Sequence, residues 1–542
     1  MREFRSHAVV PIALGLVLFA CRAPAGSGAP SKEPIVPPRT VAEESGGERT
    51  STFDEVLRFL DALERLPRAD RLARRAIGTT SEGRELQLVA VADPMPADFD
   101  ELARTKKLKL LVNANIHGGE VEGKEAVLAL LREFALGEHA ELLEQAVVLF
   151  VPVYNADGND RIDPANRATQ NGPDAGVGER ANAQDLDLNR DFVKVESPEC
   201  AALMSVFRTF DPHLFLDLHT TNGSYHGYHL TYSPSLSPNV EPALDAFARD
   251  EWIAGIRAAM EKEHGYRTFD YGNFTEGDER TWATYDHRPR FGTNYYALRN
   301  RLALLSEAYS YCDFPTRIAA TRAFVLETLR ACVAHADRIR ELCAAADRRI
   351  EKESVPFGWS TELAPPVPGE VLVGAVDALE LPEGRGTRYV ARPDFQAETM
   401  GVQDRFVARE MRGLPLAWAV LAPSDAVRRV LEAHGIELEV LDRERTVLAA
   451  RFRTSRVSRE ERPFQGHRTL ALEGDWERET ETLLPAGTLL VHARARLGRV
   501  AAQLLEPRSE DSLVTWNFLD QVLGETGEAF PVLRVLEDPA GP

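Results

Sequence analysis

Four short apolar runs limit what this chain can fold into: LKLLVNANI (108–116), AVVLFVPVYN (146–155), HLFLDLH (213–219) and LALLSEAYSY (302–311). Between and after them lie stretches with helical spacing, such as KEAVLALLREFAL (124–136) and PTRIAATRAFVLETLRACVAHADRIREL, which follows the fourth run. Strands that are apolar on both faces belong to a sheet covered on both sides, and their alternation with helices argues for mostly parallel pairing. The expectation for residues 53–350 is therefore an α/β/α sandwich around a mostly parallel mixed sheet.

Open sheets of this kind place their sites beyond the carboxyl ends of the strands. Three of the runs end in chemistry. His117 and Glu120 follow the first, in NANIHGGEVEGKEA; His219 ends the third, in FLDLHTT; Glu307 lies near the end of the fourth, in LALLSEAY. An ionisable side chain in such a setting is costly unless it is paired or bound to metal. Two histidines and a carboxylate, with a fourth position left open, are a recurring recipe for catalytic zinc.

Gly118 and Gly119 let the backbone turn sharply beside the imidazole, and Glu122 and Glu125 are expected as first-turn acids of the next helix. Asp217, two residues before His219, shares its face of the strand and can orient it. His226 and His229 fit a loop or edge strand without a metal role. HExxH, GxSxG and P-loop motifs are absent.

Together these residues resemble the zinc carboxypeptidase family. The family's H-x-x-E is matched by His117-Gly-Gly-Glu120, its N-R pair by Asn189-Arg190 in DLDLNRDF, its strand-end histidine by His219 and its catalytic glutamate by Glu307. NADG (155–158) is similar to the family's N-P-D-G turn, with alanine for proline. The resemblance implies one Zn²⁺ per chain, held by His117, Glu120 and His219. It implies Glu307 as general base on a zinc-activated water, and Asn189 and Arg190 as the grip on a substrate's free C-terminal carboxylate.

It also implies an arginine that polarises the scissile carbonyl, for which Arg167 is expected and Arg180 is the alternative. Tyr285 is expected as the assisting tyrosine, Tyr295 and Tyr296 being nearer the strand and structural. Side-chain preference is expected to lie in the stretch Arg290 to Thr293. Gly119 stands where carboxypeptidase A-like members carry an arginine, so an outer substrate contact is missing.

The two ends of the chain read differently from its middle. MREFRSH followed by VVPIALGLVLFA has the form of a signal peptide, and LFAC resembles a lipobox. Residues 1–20 are thus expected to be a lipoprotein signal peptide and Cys21 the lipidated residue. Residues 21–52, rich in Pro, Gly, Ser and Ala, are expected to be a flexible tether. Export to a bacterial cell envelope follows, with membrane contact only through the lipid anchor. Cys200, Cys312, Cys332 and Cys343 have no metal or redox spacing, and their pairing stays open.

Near 353 a proline-dense stretch precedes shorter strand candidates, VLVGAV, TVLAARF and GTLLVHARA, with one helical stretch, PSDAVRRVLEAHG. Residues 356–542 are expected to form a β-rich accessory domain. The 64 basic and 84 acidic residues give a net charge of −20, which argues against nucleic acid as a partner.

The function expected is an exported zinc carboxypeptidase acting on peptides. Its alternatives are an amidase or deacylase on peptidoglycan stem peptides or acyl-amino acids, and a non-catalytic peptide-binding lipoprotein.

Overall fold

The computed structural model describes residues 36–221, 223–277, 279–382, 386–523 and 530–538. The expected signal peptide, Cys21 and residues 22–35 of the expected tether lie outside the described residues.

Among the described residues, ten strands precede residue 310: β1 (Leu72–Thr79), β2 (Glu85–Val91), β3 (Leu108–Ala114), β4 (Ala146–Val151), β5 (Leu214–Thr221), β6 (Leu230–Pro234), β7 (Thr268–Asp270), β8 (Asn273–Phe274), β9 (Thr281–Ala283) and β10 (Leu302–Tyr309). Eight of them form one sheet in the order β1-β2-β4-β3-β5-β10-β6-β7. Its centre is parallel, β4 with β3, β3 with β5 and β5 with β10, while β1–β2, β2–β4 and β10–β6 are antiparallel. The four apolar runs are its four central strands, as their two-sided hydrophobicity requires.

The twofold alternation of a strand sorts side chains between two cores. Leu214, Leu216 and Leu218 face one, with Leu110, Val112 and helix Phe314–Ala334. Phe215 faces the other, with Leu111, Leu149 and helix Pro198–Phe210. Asp217 and His219 share the parity of Phe215, so the polar ends of the strands open on that side.

Twelve further strands lie beyond residue 355 among the described residues: β11 (Pro356–Leu363), β12 (Val367–Glu380), β13 (Thr387–Gln403), β14 (Phe406–Gly413), β15 (Ala417–Val420), β16 (Glu439–Val440), β17 (Arg445–Ala450), β18 (Phe452–Arg459), β19 (Leu470–Trp476), β20 (Thr480–Leu484), β21 (Leu489–His492) and β22 (Val532–Glu537). Six make an antiparallel sheet, β16-β21-β15-β22-β17-β20, and β18–β19 is a separate hairpin.

The region is β-rich, as expected, yet the change near 353 is one of architecture and not a break in packing. Trp418, Val500 and Trp516 share one hydrophobic cluster with Phe207, Phe215 and Tyr295, and residues 37–542 form one compact unit.

The expected tether also needs correction from residue 37 onward. Thr40 and Glu43 close a capping box on helix Val41–Glu44, and Glu43 makes a bidentate pair with Arg132. Thr50 and Ser51 are buried, both donating to Glu125 Oε1 at 2.9 and 2.8 Å. Proline and glycine content pointed to a tether, but the polar residues among them are satisfied by the helix that follows β3. Cys200, Cys312, Cys332 and Cys343 are free thiols.

Candidate metal centre and active site

Directly after β3, Asn115 adopts φ +62° and its side-chain NH₂ donates to the carbonyls of His117, Gly118 and Glu120 at 3.2, 3.3 and 3.1 Å. One amide thus gathers the His117–Glu120 turn. The two glycines serve close approach more than conformational freedom. A Cβ on Gly118 would stand 2.4 Å from Glu179 O and from Gly158 C, and one on Gly119 would stand 2.7 Å from Arg167 Cδ. The strand ends therefore meet the loops 155–160 and 167–180 at close range. Asn155 of NADG caps helix Ala156–Asp160 and donates to Arg180 O at 3.1 Å. Ala156 occupies the first helical position, which suits proline.

Both imidazoles turn Nδ1 toward Glu120. His117 Nδ1 is 3.0 Å from Glu120 Oε1, and His219 Nδ1 is 3.1 Å from Oε2. Their Nε2 atoms are held from behind, by Asp187 Oδ1 at 3.1 Å and Asp217 Oδ2 at 2.9 Å. Asn113, beside Asp217 in register, donates to its other oxygen at 2.8 Å. Carboxylate behind imidazole is the arrangement that fixes the tautomer and orientation of a metal-binding histidine.

The electrostatics are those of a site built for a cation. Burial opposes protonation of His219, yet Asp217 and Glu120 hold it well above its ordinary value. Glu120 is held well below the usual carboxylate range, against burial, by the charges of His117 and Arg167. A proton on imidazole fills the place that a cation fits. His117, Glu120 and His219 offer three converging ligand atoms, two nitrogens and an oxygen, which is a donor set suited to zinc.

These residues open on a cleft of about 220 Å³, also lined by Arg167, Arg180, Asn189, Arg190, Tyr271, Tyr285, Phe291, Leu305 and Glu307. All eight expected site residues of the fold are thus brought together. Glu307 pairs with His219 in the parallel register of β10 and β5. Burial pushes its carboxyl up to about 8, with the Glu120 charge adding to this against the pull of His219.

Asn189 accepts from Gly292 N–H at 2.9 Å through its oxygen, which leaves its NH₂ as a donor. The Arg190 guanidinium lies 4.0 Å over the Phe291 ring. Tyr285 stands edge-on to Tyr271 and Phe291, its hydroxyl 3.3 Å from Thr293 Oγ1.

The two arginines differ. Arg167, at φ +54°, donates Nε to Gln170 (3.0 Å), Nη1 to Glu120 (3.0 Å) and Nη2 to Thr220 O (2.9 Å), so each of its guanidinium nitrogens is committed. Arg180 is also tied through all three nitrogens, Nε and Nη2 to Asp187 at 3.0 and 2.9 Å and Nη1 to His117 Nδ1 at 3.3 Å, but its side chain is 46% exposed against 16% for Arg167. Arg290, from the stretch expected to set side-chain preference, is instead buried in a pair with Asp511 and lies outside the cleft.

Glu122 and Glu125 are first-turn acids of helix Glu122–Leu136, as expected, but they are not solvated. Both are buried, Glu122 against Thr220 and Arg317, Glu125 against Thr50 and Ser51. His226 stacks 3.9 Å from Tyr309 and, like His229, does not line the cleft. Asp187 and Tyr271 do not stand out in the sequence as site residues. Asp187 carries a faint signal in its place two residues before Asn189; Tyr271 carries none, because the strand before it, β7, is only three residues long.

The profile of the zinc carboxypeptidase family (Peptidase_M14) matches residues 56–295, a span that holds His117, Glu120, Asn189, Arg190 and His219 and stops short of Glu307. The chain is 24% identical to carboxypeptidase 2 of Trichophyton tonsurans over 465 residues, which is 80% of this chain and 78% of that one. It is 35% identical to carboxypeptidase Z of Homo sapiens over 128 residues, 22% of this chain and 18% of that one. A metallo-carboxypeptidase from Burkholderia cenocepacia superposes on 53% of this chain and 70% of its own, with 18% identity and a TM-score of 0.40. Residues 56–295 thus carry a zinc carboxypeptidase domain.

Proposed function

We propose that the protein is an exported carboxypeptidase that releases the last residue of peptides bearing a free C-terminal carboxylate, with one zinc ion held by His117, Glu120 and His219. The observation that carries this is the placing of Glu307, a general-base candidate, and Asn189-Arg190, a carboxylate grip, in the same cleft as the ligand cluster. Bound zinc supplies Lewis acidity and lowers the pKa of water.

The side chains divide the remaining work. The Arg190 fork and the Asn189 NH₂ take the substrate carboxylate. Glu307 accepts a proton from the attacking water and returns it to the leaving amine. Arg180, the more exposed of the two arginines, is the donor we assign to the scissile carbonyl. Arg167, the first expectation for that role, holds Glu120 in place, and Gly119 makes room for it. Tyr285, with Tyr271, closes the aromatic wall around the terminal side chain.

A cleavage profile of a mixed peptide pool by mass spectrometry tests the reading. Successive loss of C-terminal residues is expected, and Glu307→Gln should lower kcat about 10²- to 10⁴-fold with zinc content unchanged. Internal cuts, release of acyl groups alone, or full activity in E307Q would sink it. Export rests on residues 1–21. Cys21→Ala should move the protein from the membrane fraction to the soluble one.

A further inference from the structure

The turn formed by residues 464–467, between β18 and β19, is unusual in its sequence. Phe464 and His467 exchange both backbone hydrogen bonds, at 2.8 and 3.0 Å, around Gln465 (φ +50°) and Gly466 (φ +79°). Two-residue hairpin turns with both central residues at positive φ strongly favour Asn, Asp or Gly at the first position. A glutamine there is strained, and such strain is retained where the surroundings over-determine it. The surroundings are the active site. Gln465 Oε1 accepts the backbone N–H of Asp187 at 2.9 Å, and its neighbour His467 pairs with Glu196 at 3.0 Å.

Asp187 is the hub of the cleft. Its Oδ1 holds His117 Nε2 and accepts the Asn189 N–H at 2.9 Å, capping the turn Leu188–Arg190. Its Oδ2 holds Arg180. One carboxylate therefore sets a metal ligand, the substrate grip and the carbonyl donor, and its own amide is anchored from the C-terminal region by Gln465.

We propose that Gln465 is a positioning residue of the active site, acting through Asp187 on His117, Arg180 and the Asn189-Arg190 turn; this rests on the zinc carboxypeptidase reading above. The long amide is kept at the cost of turn strain because it reaches Asp187 and a turn-favoured asparagine, one methylene shorter, does not.

The test compares Gln465→Asn, Gln465→Leu and Gln465→Glu in the full chain, measuring zinc affinity by chelator competition, Tm of the zinc-free protein, and kcat and KM. Losing a group that orients a metal ligand typically costs 10- to 100-fold in affinity, and Gln465 acts one step further out, so roughly 3- to 10-fold is expected for Q465N and Q465L. Q465N, relieved of strain, should keep or raise Tm while its zinc affinity falls and its KM rises. Q465E, which retains the acceptor, should return to within about twofold of wild type on the same scale.

Wild-type zinc affinity and KM in both Q465N and Q465L would overturn the proposal. So would parallel losses of Tm and affinity that Q465E does not restore. The zinc measurement needs no turnover, with His117→Ala as its control. A protein that binds zinc and cleaves nothing would therefore refute the peptidase reading while still deciding the role of Gln465.

Discussion

Asp217 and Asp187 each hold one imidazole of the candidate metal centre by Nε2, which is what turns both Nδ1 atoms toward Glu120. Asp217→Asn is expected to lower zinc affinity about 10- to 100-fold with little loss of fold, checked by chelator titration beside thermal melting. His117, Glu120, His219 and Glu307 are legible in the sequence because ionisable groups at the ends of apolar strands need a reason to be there. Glu122 and Glu125 share that neighbourhood and look like ordinary helix-start acids. Their partners, Thr220 and Arg317 for one and Thr50 and Ser51 for the other, come from distant segments that no local pattern connects.

At the scale of elements, the strand ends converge because glycines at 118, 158 and 178 leave no side chain where the backbones meet. Gly118 meets the backbone of Gly158 and Asn159, and a Cβ on Gly178 would stand 2.2 Å from Gly158 O. Gly118→Ala should therefore destabilise by about 1–3 kcal/mol, the range for forcing atoms into a packed site. A lower Tm together with weakened zinc binding is the expected outcome, since the displaced turn carries His117.

The four central strands and the helices after β3 and β10 are legible from hydrophobic period alone. β7, β8 and β9 are not, being two or three residues long and held by neighbours in the sheet more than by their own pattern. The segment before the first long helix misleads for a similar reason. Its composition is that of a tether, but from Pro37 to Thr52 two capping boxes and the pairing of Glu43 with Arg132 fix it in place.

Across the whole molecule, the C-terminal region is part of the same core. A chain stopped at Glu353 would leave Phe207, Phe215 and Tyr295 without the cluster that Trp418 and Trp516 complete, and it is expected in the insoluble fraction on expression. His434 gives the junction a pH dependence. It is fully buried, accepts from the Tyr295 hydroxyl at 2.7 Å and donates Nε2–H to Val193 O at 3.0 Å, both groups on the catalytic side.

Burial, with Arg299 and Arg208 nearby, pushes the His434 imidazole down to about 4 against an ordinary 6.5. Between those values the unfolded chain takes up the proton and the folded one does not. Stability present above pH 6.5 is thus lost as pH falls toward 4, by on the order of 3 kcal/mol from this group. Tm measured from pH 7 to 4 should fall across that window, and His434→Gln should flatten the slope; an unchanged slope would refute it.

What the sequence determined by itself was the central sheet and the ends of its strands. Strands buried on two faces must be continuously apolar, so the few ionisable residues left at their ends stand out as His117, Glu120, His219 and Glu307. What only the tertiary structure decided is who supports them. Asp187, Arg180 against Arg167, the aromatic pair Tyr271–Tyr285 and Gln465 act across distances in sequence that no period spans. The C-terminal region holds the cleft because its apolar surface completes the core on the side where the active site opens.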